Sequence, residues 1–263
     1  MRIRLAGALA VFALFVATGS IQAADAKDAE KGVRNYLKEL NAFGYQIILI
    51  KDEAVATAFP NRCVFAVRFQ QYPVGIAPPK GLSSSNVFIV NEGKIEAVII
   101  DSKGLQNYFL NTLAAVEKEE QAKNAVRAWL RLSQELVQDG FYQFGKPQDL
   151  GCTVAKDGTR TASGTVVVRA GGRGEINVFL TFGPNGVLAK IAEAVTVKPG
   201  IRPICQATKL LDPDPIVRKM AERDILVMGQ AAKEYLDEQR AKASPELQKA
   251  IDQIWKRILD EGW

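Results

Sequence analysis

One amphipathic stretch, Glu117–Phe144 (EKEEQAKNAVRAWLRLSQELVQDGFYQF), constrains the fold of this chain more than any other segment. Ala122, Val126, Trp129, Ser133 and Leu136 recur three or four residues apart, and Ala125, Leu132 and Val137 widen the stripe. The pattern predicts a helix that stops at Gly140 and leads into a strand. Glu117, Glu119 and Glu120 place negative charge on its first turns, where the helix dipole favours it. About 21 helical residues at 1.5 Å each would span roughly 32 Å, the width of a small sheet. Strand-like segments lie on both sides, so this helix is expected to be a spine between two halves, with Trp129 in the core.

The chain has 263 residues, of which 48% are hydrophobic and 24% charged, the balance of a globular protein with a sizeable core. Its first residues read as an export signal. Arg2 and Arg4 precede a short apolar run, Leu5–Ala17, and Thr18–Ala26 offers small residues with cleavage between Ala23 and Ala26. The run is about 13 residues, short of the roughly 20 that span a bilayer. The mature chain is therefore expected to be exported, periplasmic or extracellular, without stable membrane insertion. Losing the two arginines lowers the net charge from +5 to about +3, and no basic stripe marks a nucleic-acid binder. Cys63, Cys152 and Cys205 are an odd set, and two outcomes stay open. One is a disulfide that includes Cys205, which lies in a Pro-rich connection; the other is three buried thiols.

The pattern along the chain predicts an α+β fold of helix-backed antiparallel sheets with a small all-helical C-terminal segment. Its expected parts are a signal peptide (1–26), a first α+β half (27–116), the long helix with a second meander (117–198), a linker (199–211) and the helical segment (212–263). In the first half, Asp28–Phe43 reads as a helix capped by Gly44, followed by a strand at Tyr45–Ile50 and a weaker one at Val55–Phe59. Cys63–Tyr72 is a clear strand with Phe65, Val67 and Phe69 on one face. A turn-rich stretch at Pro73–Ser85 leads to a hairpin, Asn86–Val90 with Lys94–Ile100, across Asn91-Glu92-Gly93. Ser102–Ala115 reads as a helix. In the second half Asp157-Gly158, Gly171-Gly172-Arg173-Gly174 and Asn185-Gly186 punctuate strands at Cys152–Ala155, Thr159–Arg169, Glu175–Phe182 and Val187–Val197. Beyond the linker, Ile216, Val217, Met220 and Ala221 begin a helical stripe. Ala231, Ala232, Tyr235 and Leu236 follow on a second helix. Leu247, Ala250, Ile251, Ile254 and Ile258 form a third behind Ser244-Pro245-Glu246.

Within that tail, Leu211–Leu236 resembles a HEAT-type helical repeat at Asp212, Asp214-Pro215, Val217-Arg218, Ala221, Leu226, Gly229, Ala231-Ala232 and Leu236. The resemblance implies that Asp-Pro opens the first helix, that Arg218 lies near the inter-repeat turn and that Gly229 makes the corner. Such tails end many exported bacterial proteins of unknown function. Only one unit is present, whereas solenoids need about three. The lone unit is expected to bury its stripe against the sheets as a docked cap.

Composition restricts the chemistry further. With no histidine, Ser-His-Asp and Cys-His catalysis and the commonest zinc ligand are excluded. Gly171–Gly174 has backbone N–H groups that could cradle an anion, but it lies between strands and reads as a hairpin. Ser83-Ser84-Ser85 beside Lys80 reads as solvated turn material rather than a nucleophile loop. Asp212 and Asp214 read as helix caps, and Glu117, Glu119 and Glu120 as a solvated helix start. Tyr72-Pro73, Trp255 and Trp263 are candidates for a contact surface. No catalytic, cofactor or metal residues are assigned. The expectation is a non-catalytic binding or scaffolding protein whose partner is a protein. The alternatives are a carrier of a small apolar ligand, with a cavity lined by Phe65, Phe69, Phe88 and Phe179, and a carboxylate-based hydrolase.

Overall fold

A computed structural model describes residues 21–71, 75–200 and 207–263, and the architecture is α+β. The chain starts with α1 (Ile21–Glu39), β1 (Tyr45–Leu49) and a short helix α2 (Glu53–Ala58). Strands β2 (Arg62–Phe69), β3 (Ser85–Asn91) and β4 (Lys94–Ile99) follow, then α3 (Ser102–Thr112). The four strands form an antiparallel meander in sequence order. Glu92 and Gly93, both at positive φ, make the two-residue turn between β3 and β4, the geometry that suits strand twist. This first sheet is covered on both faces. Phe65, Val67, Phe69, Phe88 and Val90 pack on Ala29, Val33 and Leu37 of α1. Val64, Ala66, Val87 and Ile89 face the other way, into the main core.

Next come α4 (Glu119–Leu136), β5 (Gln143–Phe144), β6 (Gln148–Val154), β7 (Arg160–Ala170), β8 (Gly172–Arg173), β9 (Glu175–Phe182), β10 (Leu188–Val195) and β11 (Lys198–Pro199). The second sheet runs β10-β9-β7, and the far edge of β7 is shared by β6 and β5. Period-two burial is clean here: Ile176, Val178, Leu180 and Phe182 point inward, and Phe179 outward at 52% exposure.

The α4 helix lies between the two sheets. Ala122, Ala125, Val126, Ala128, Trp129, Leu130 and Leu132 are all buried, in one apolar core shared with both sheets. Trp129 is fully buried, edge-on to Phe109 at 4.9 Å, and Phe109 in turn meets Phe59 at 5.0 Å. Close approach to the second sheet depends on Gly164 of β7. A Cβ there would stand 2.7 Å from Val126 Cγ1 and 2.8 Å from Leu150 Cδ2.

The remainder is helical: a 3-10 turn (Ala207–Leu211), α5 (Pro215–Met228), a second 3-10 turn (Gly229–Ala232), α6 (Lys233–Arg240) and α7 (Pro245–Glu261). Asp214 and Ser244 cap α5 and α7, each followed by proline at the first helical position.

Several expectations need correction. Val55–Ala58 is helical and Phe59 is its C-cap, so the stretch is not a strand: the Asp52 carboxylate accepts from Val55 N at 3.1 Å and starts α2, and Ala54, Val55 and Ala58 are its buried residues. The first helix ends at Glu39, and its left-handed cap is Asn41 rather than Gly44. Ala42 N bonds Leu37 O and Asn41 N bonds Lys38 O, the paired bonds of a Schellman ending. Gly44 has its own reason to be glycine: its φ of +62° is a left-handed backbone that L side chains disfavour, and Ile76 lies against it. The long helix stops at Leu136, four residues before Gly140, after the Glu135 carbonyl has taken a hydrogen bond from Ser85. Ile216 and Met220 lie outside the buried stripe of α5, which is Ala221, Ile225 and Leu226. The helical segment does not bury its stripe against the sheets. Its core joins Ala221, Ile225, Leu226, Tyr235, Leu236, Leu247, Ile251, Ile254 and Ile258 to one another. Most of the expected leader, Cys205 and Tyr72-Pro73 lie outside the described residues, and Ile21–Ala26 form the first turns of α1. Among the described residues no helix is long and apolar enough to cross a membrane.

Gly164→Ala should destabilise the protein by about 1–3 kcal/mol, because the new methyl group overfills the contact with Val126 and Leu150. Gly151→Ala meets only Ser163 Oγ at 3.4 Å and should cost less. Urea unfolding of the two variants checks the difference.

Candidate functional site

The charged groups nearest the core belong to three polar knots, each tying elements together. Glu135, at the end of α4, is almost fully buried. Its carboxylate accepts from Arg131 Nη1 at 2.5 Å and from Arg68 of β2, whose Nε lies at 3.1 Å. Glu193 of β10 accepts from Trp129 Nε1 at 2.8 Å, Ser133 Oγ at 2.6 Å and Ser102 Oγ at 2.5 Å. The first knot joins α4 to the first sheet, and the second joins α4 and α3 to the second sheet. In the third, Arg62 Nε and Tyr108 OH both donate to Glu96, at 2.9 and 3.0 Å.

Electrostatics follows from these contacts. Burial, reinforced by the Glu96 carboxylate, pushes the Tyr108 phenol up to about 12. Burial acts to raise Glu96, but hydrogen bonds from Arg62 and Tyr108 outweigh it and leave the carboxyl below its ordinary range. Among the described residues no side-chain N or O is buried without a partner, and no group of three His, Cys, Asp or Glu could hold a metal ion. The carboxylates of all three knots are occupied by basic, hydroxyl or indole N–H donors from their own chain.

The sequence candidates fall in scattered places. Phe65, Phe69 and Phe88 fill the interface between α1 and the first sheet, while Phe179 is exposed on the second, so the four line no common cavity. Ser85 is buried and donates to the Glu135 carbonyl, and Asn86 pins Ser83 through bonds of 2.7 Å in both directions. That serine run is therefore structural rather than solvated. Gly171–Gly174 lies between the paired strands β7 and β9, and Gly172–Arg173 also pairs with Lys198–Pro199. Gly171 N donates to Glu238 Oε1 of α6 at 2.9 Å, so the loop does hold a carboxylate, one from its own chain. Asp214 caps α5, and Asp212 accepts from Lys209 at 2.9 Å. Glu119 and Glu120 pair along α4 with Lys123 and Arg127. Cys63 and Cys152 lie on different sheets and are not bridged to each other, and burial raises the Cys152 thiol. Lys233 lies 5.3 Å from the ring centre of Trp255, and Trp263 is half exposed. Arg218 Nη1 donates to the carbonyls of Asp212 and Pro213, across the turn before α5.

The described residues form surface clefts that are open to solvent. One of about 680 Å³ runs along the polar side of α4 and is walled by α2 and 145–147. Two others, of about 530 and 550 Å³, meet at Arg62 and Cys63 beneath α1. The first is lined by Asp52, Glu53, Glu120, Arg127, Arg131 and Lys146, a balanced mixture of charges set beside Ala54 and Pro147.

The outer side of α5 differs from all of these. Ile216, Met220 and Val227 are 60–68% exposed and share one stripe, while Ala221, Ile225 and Leu226 anchor the opposite side. An aligned apolar stripe on a rigid, capped helix is a surface suited to association. Sequence reading took two of its three residues, Ile216 and Met220, for core, because two apolar stripes on one helix cannot be ranked without neighbours. The polar knots went unread for a similar reason: Ser133 interrupting an apolar stripe was their visible signal.

No family model, curated protein or solved structure matches this chain.

Two outcomes follow for the knots. Glu193→Ala leaves the buried Trp129 indole N–H without its acceptor and should cost about 1–3 kcal/mol, while Glu193→Gln keeps an acceptor and should cost less in the same denaturant titration. Because the Tyr108 pKa is raised, its contribution to stability is complete below the ordinary tyrosine pKa and is lost as pH rises from about 10 towards about 12. Tyr108→Phe should remove that part of the alkaline stability loss and one tyrosinate absorbance step towards pH 12.

Proposed function

We propose that this chain is an exported, non-catalytic binding or scaffolding protein that engages a protein partner through its C-terminal helical segment. The single observation that carries the reading is the exposed Ile216–Met220–Val227 stripe on α5. Its support is an independent core: α5 is held in place from behind by α7 and by its own caps, so its outer side is free to make contacts. Cleavage between Ala23 and Ala26 belongs to the same proposal. It would trim the first turns of α1 and leave the Ala29, Val33 and Leu37 contacts in place. The HEAT-type likeness of Leu211–Leu236 agrees with an interaction role, since Asp214, Arg218 and Gly229 stand at the helix start, the preceding turn and the corner.

The carrier reading has less support, because Phe65, Phe69 and Phe88 are packed solidly and Phe179 faces outward. A carboxylate hydrolase has less still: Glu96, Glu135 and Glu193 are each engaged by two or more donors from the chain itself.

A photoreactive amino acid placed at Met220 of the exported protein tests the proposal, with one at Lys249 as control. Protein adducts are expected at position 220 and not at 249. An intact, secreted protein that yields no protein adduct at 220 would refute it.

A further inference from the structure

The partner can be narrowed further, on the premise that α5 is the contact surface. Ile216, Met220, Arg223 and Val227 succeed one another at steps of four, three and four residues, the spacing of core positions in a two-stranded helical pair. Lys219 directly precedes Met220, and Asp224 directly follows Arg223, so the two charges stand on opposite flanks of the stripe. Among the described residues none of Lys219, Arg223 and Asp224 forms an ion pair, although neighbouring Glu222 does, with Arg257.

The flanking charges are self-complementary in one arrangement, and the two Arg223 guanidinium groups can extend past the seam into water. When two identical helices pair in parallel, the residue before one core position lies beside the residue five later on the partner. Lys219 then meets Asp224 of the second copy, and the two-fold axis repeats the pair on the other side. A lipid surface rich in anions would match Lys219 and Arg223 but be repelled by Asp224 on the other flank. We propose that α5 pairs in parallel with α5 of a second copy of this chain, with Ile216, Met220 and Val227 at the seam and two Lys219–Asp224 pairs fixing the register. The α5 helix has 14 residues and is about 21 Å long. One such helix buries less than the roughly 800 Å² per partner of a standard interface, so the dimer is weak and concentration-dependent.

Sedimentation of the full mature chain over a wide concentration range tests this. The wild type should pass from monomer to dimer, and Met220→Asp should abolish the transition. Lys219→Glu and Asp224→Lys each set like charges opposite one another twice, and each should weaken self-association by about tenfold. Mixing the two single variants, or combining both substitutions in one chain, restores opposite charges at both contacts and should recover wild-type association. All these side chains except Asp224 are exposed, and unchanged circular dichroism and melting confirm that each variant folds. A wild type that stays monomeric, or charge variants that neither weaken alone nor recover together, would overturn the pairing. If the chain is monomeric while position 220 still captures a different protein, the pairing fails and the broader interaction reading stands. If position 220 captures nothing as well, both fail.

Discussion

The structure depends on one helix being buried from two sides. A helix on a single sheet needs one apolar stripe; α4 meets a sheet on each side, so Ala122, Ala125, Ala128 and Leu130 are as buried as Trp129. Two sheets can approach one helix only where side chains are small, and Gly164 on the strand with the three alanines on the helix provide that room. The same enclosure takes in the polar end of α4. Ser133, Gln134 and Glu135 are buried with the rest, and a buried carboxylate without donors would destabilise the fold severely. Arg68 and Arg131 meet Glu135, while Glu193 comes from the opposite sheet to accept hydrogen bonds from Ser133 and Trp129.

Each sheet is therefore joined to α4 twice, by apolar packing and by one carboxylate knot. Packing supplies most of the driving force and is tolerant of small sliding motions. Hydrogen-bonded charges are directional and fix where along the helix each sheet stands. The chemically conspicuous residues of the body are thereby committed to holding it together. Among the described residues no helix covers the outer face of the second sheet, a common arrangement for antiparallel strands with polar outward residues such as Thr165 and Asn177.

The helical segment obeys a different constraint. Its three helices close a core of their own, so each needs one stripe for that core, and α5 carries a second stripe that the core does not use. Exposed apolar area of that kind weakens solubility unless it serves association. The Gly171–Glu238 hydrogen bond connects body and segment without burying the stripe.

Much of this was legible in the chain. The central helix, the meanders, the hairpin at Glu92-Gly93 and the caps at Asp214 and Ser244 follow from periodicity and turn chemistry, which act over a few residues. The misreadings have local causes too. Val55, Thr57 and Phe59 alternate as a strand would, yet Asp52 and the alanines make a helix; Gly44 looks like a cap, but Asn41 two residues beyond the helix takes that role first. What sequence alone determined is where most of the helical and extended segments lie and which chemistries a chain without histidine lacks, because those depend mainly on neighbouring residues and composition. Tertiary structure alone decided that α4 is enclosed by both sheets, that its carboxylate pairs with an arginine sixty-seven positions earlier, and which of the two stripes on α5 faces water. Burial depends on what folds back from a distance, and no local pattern encodes that.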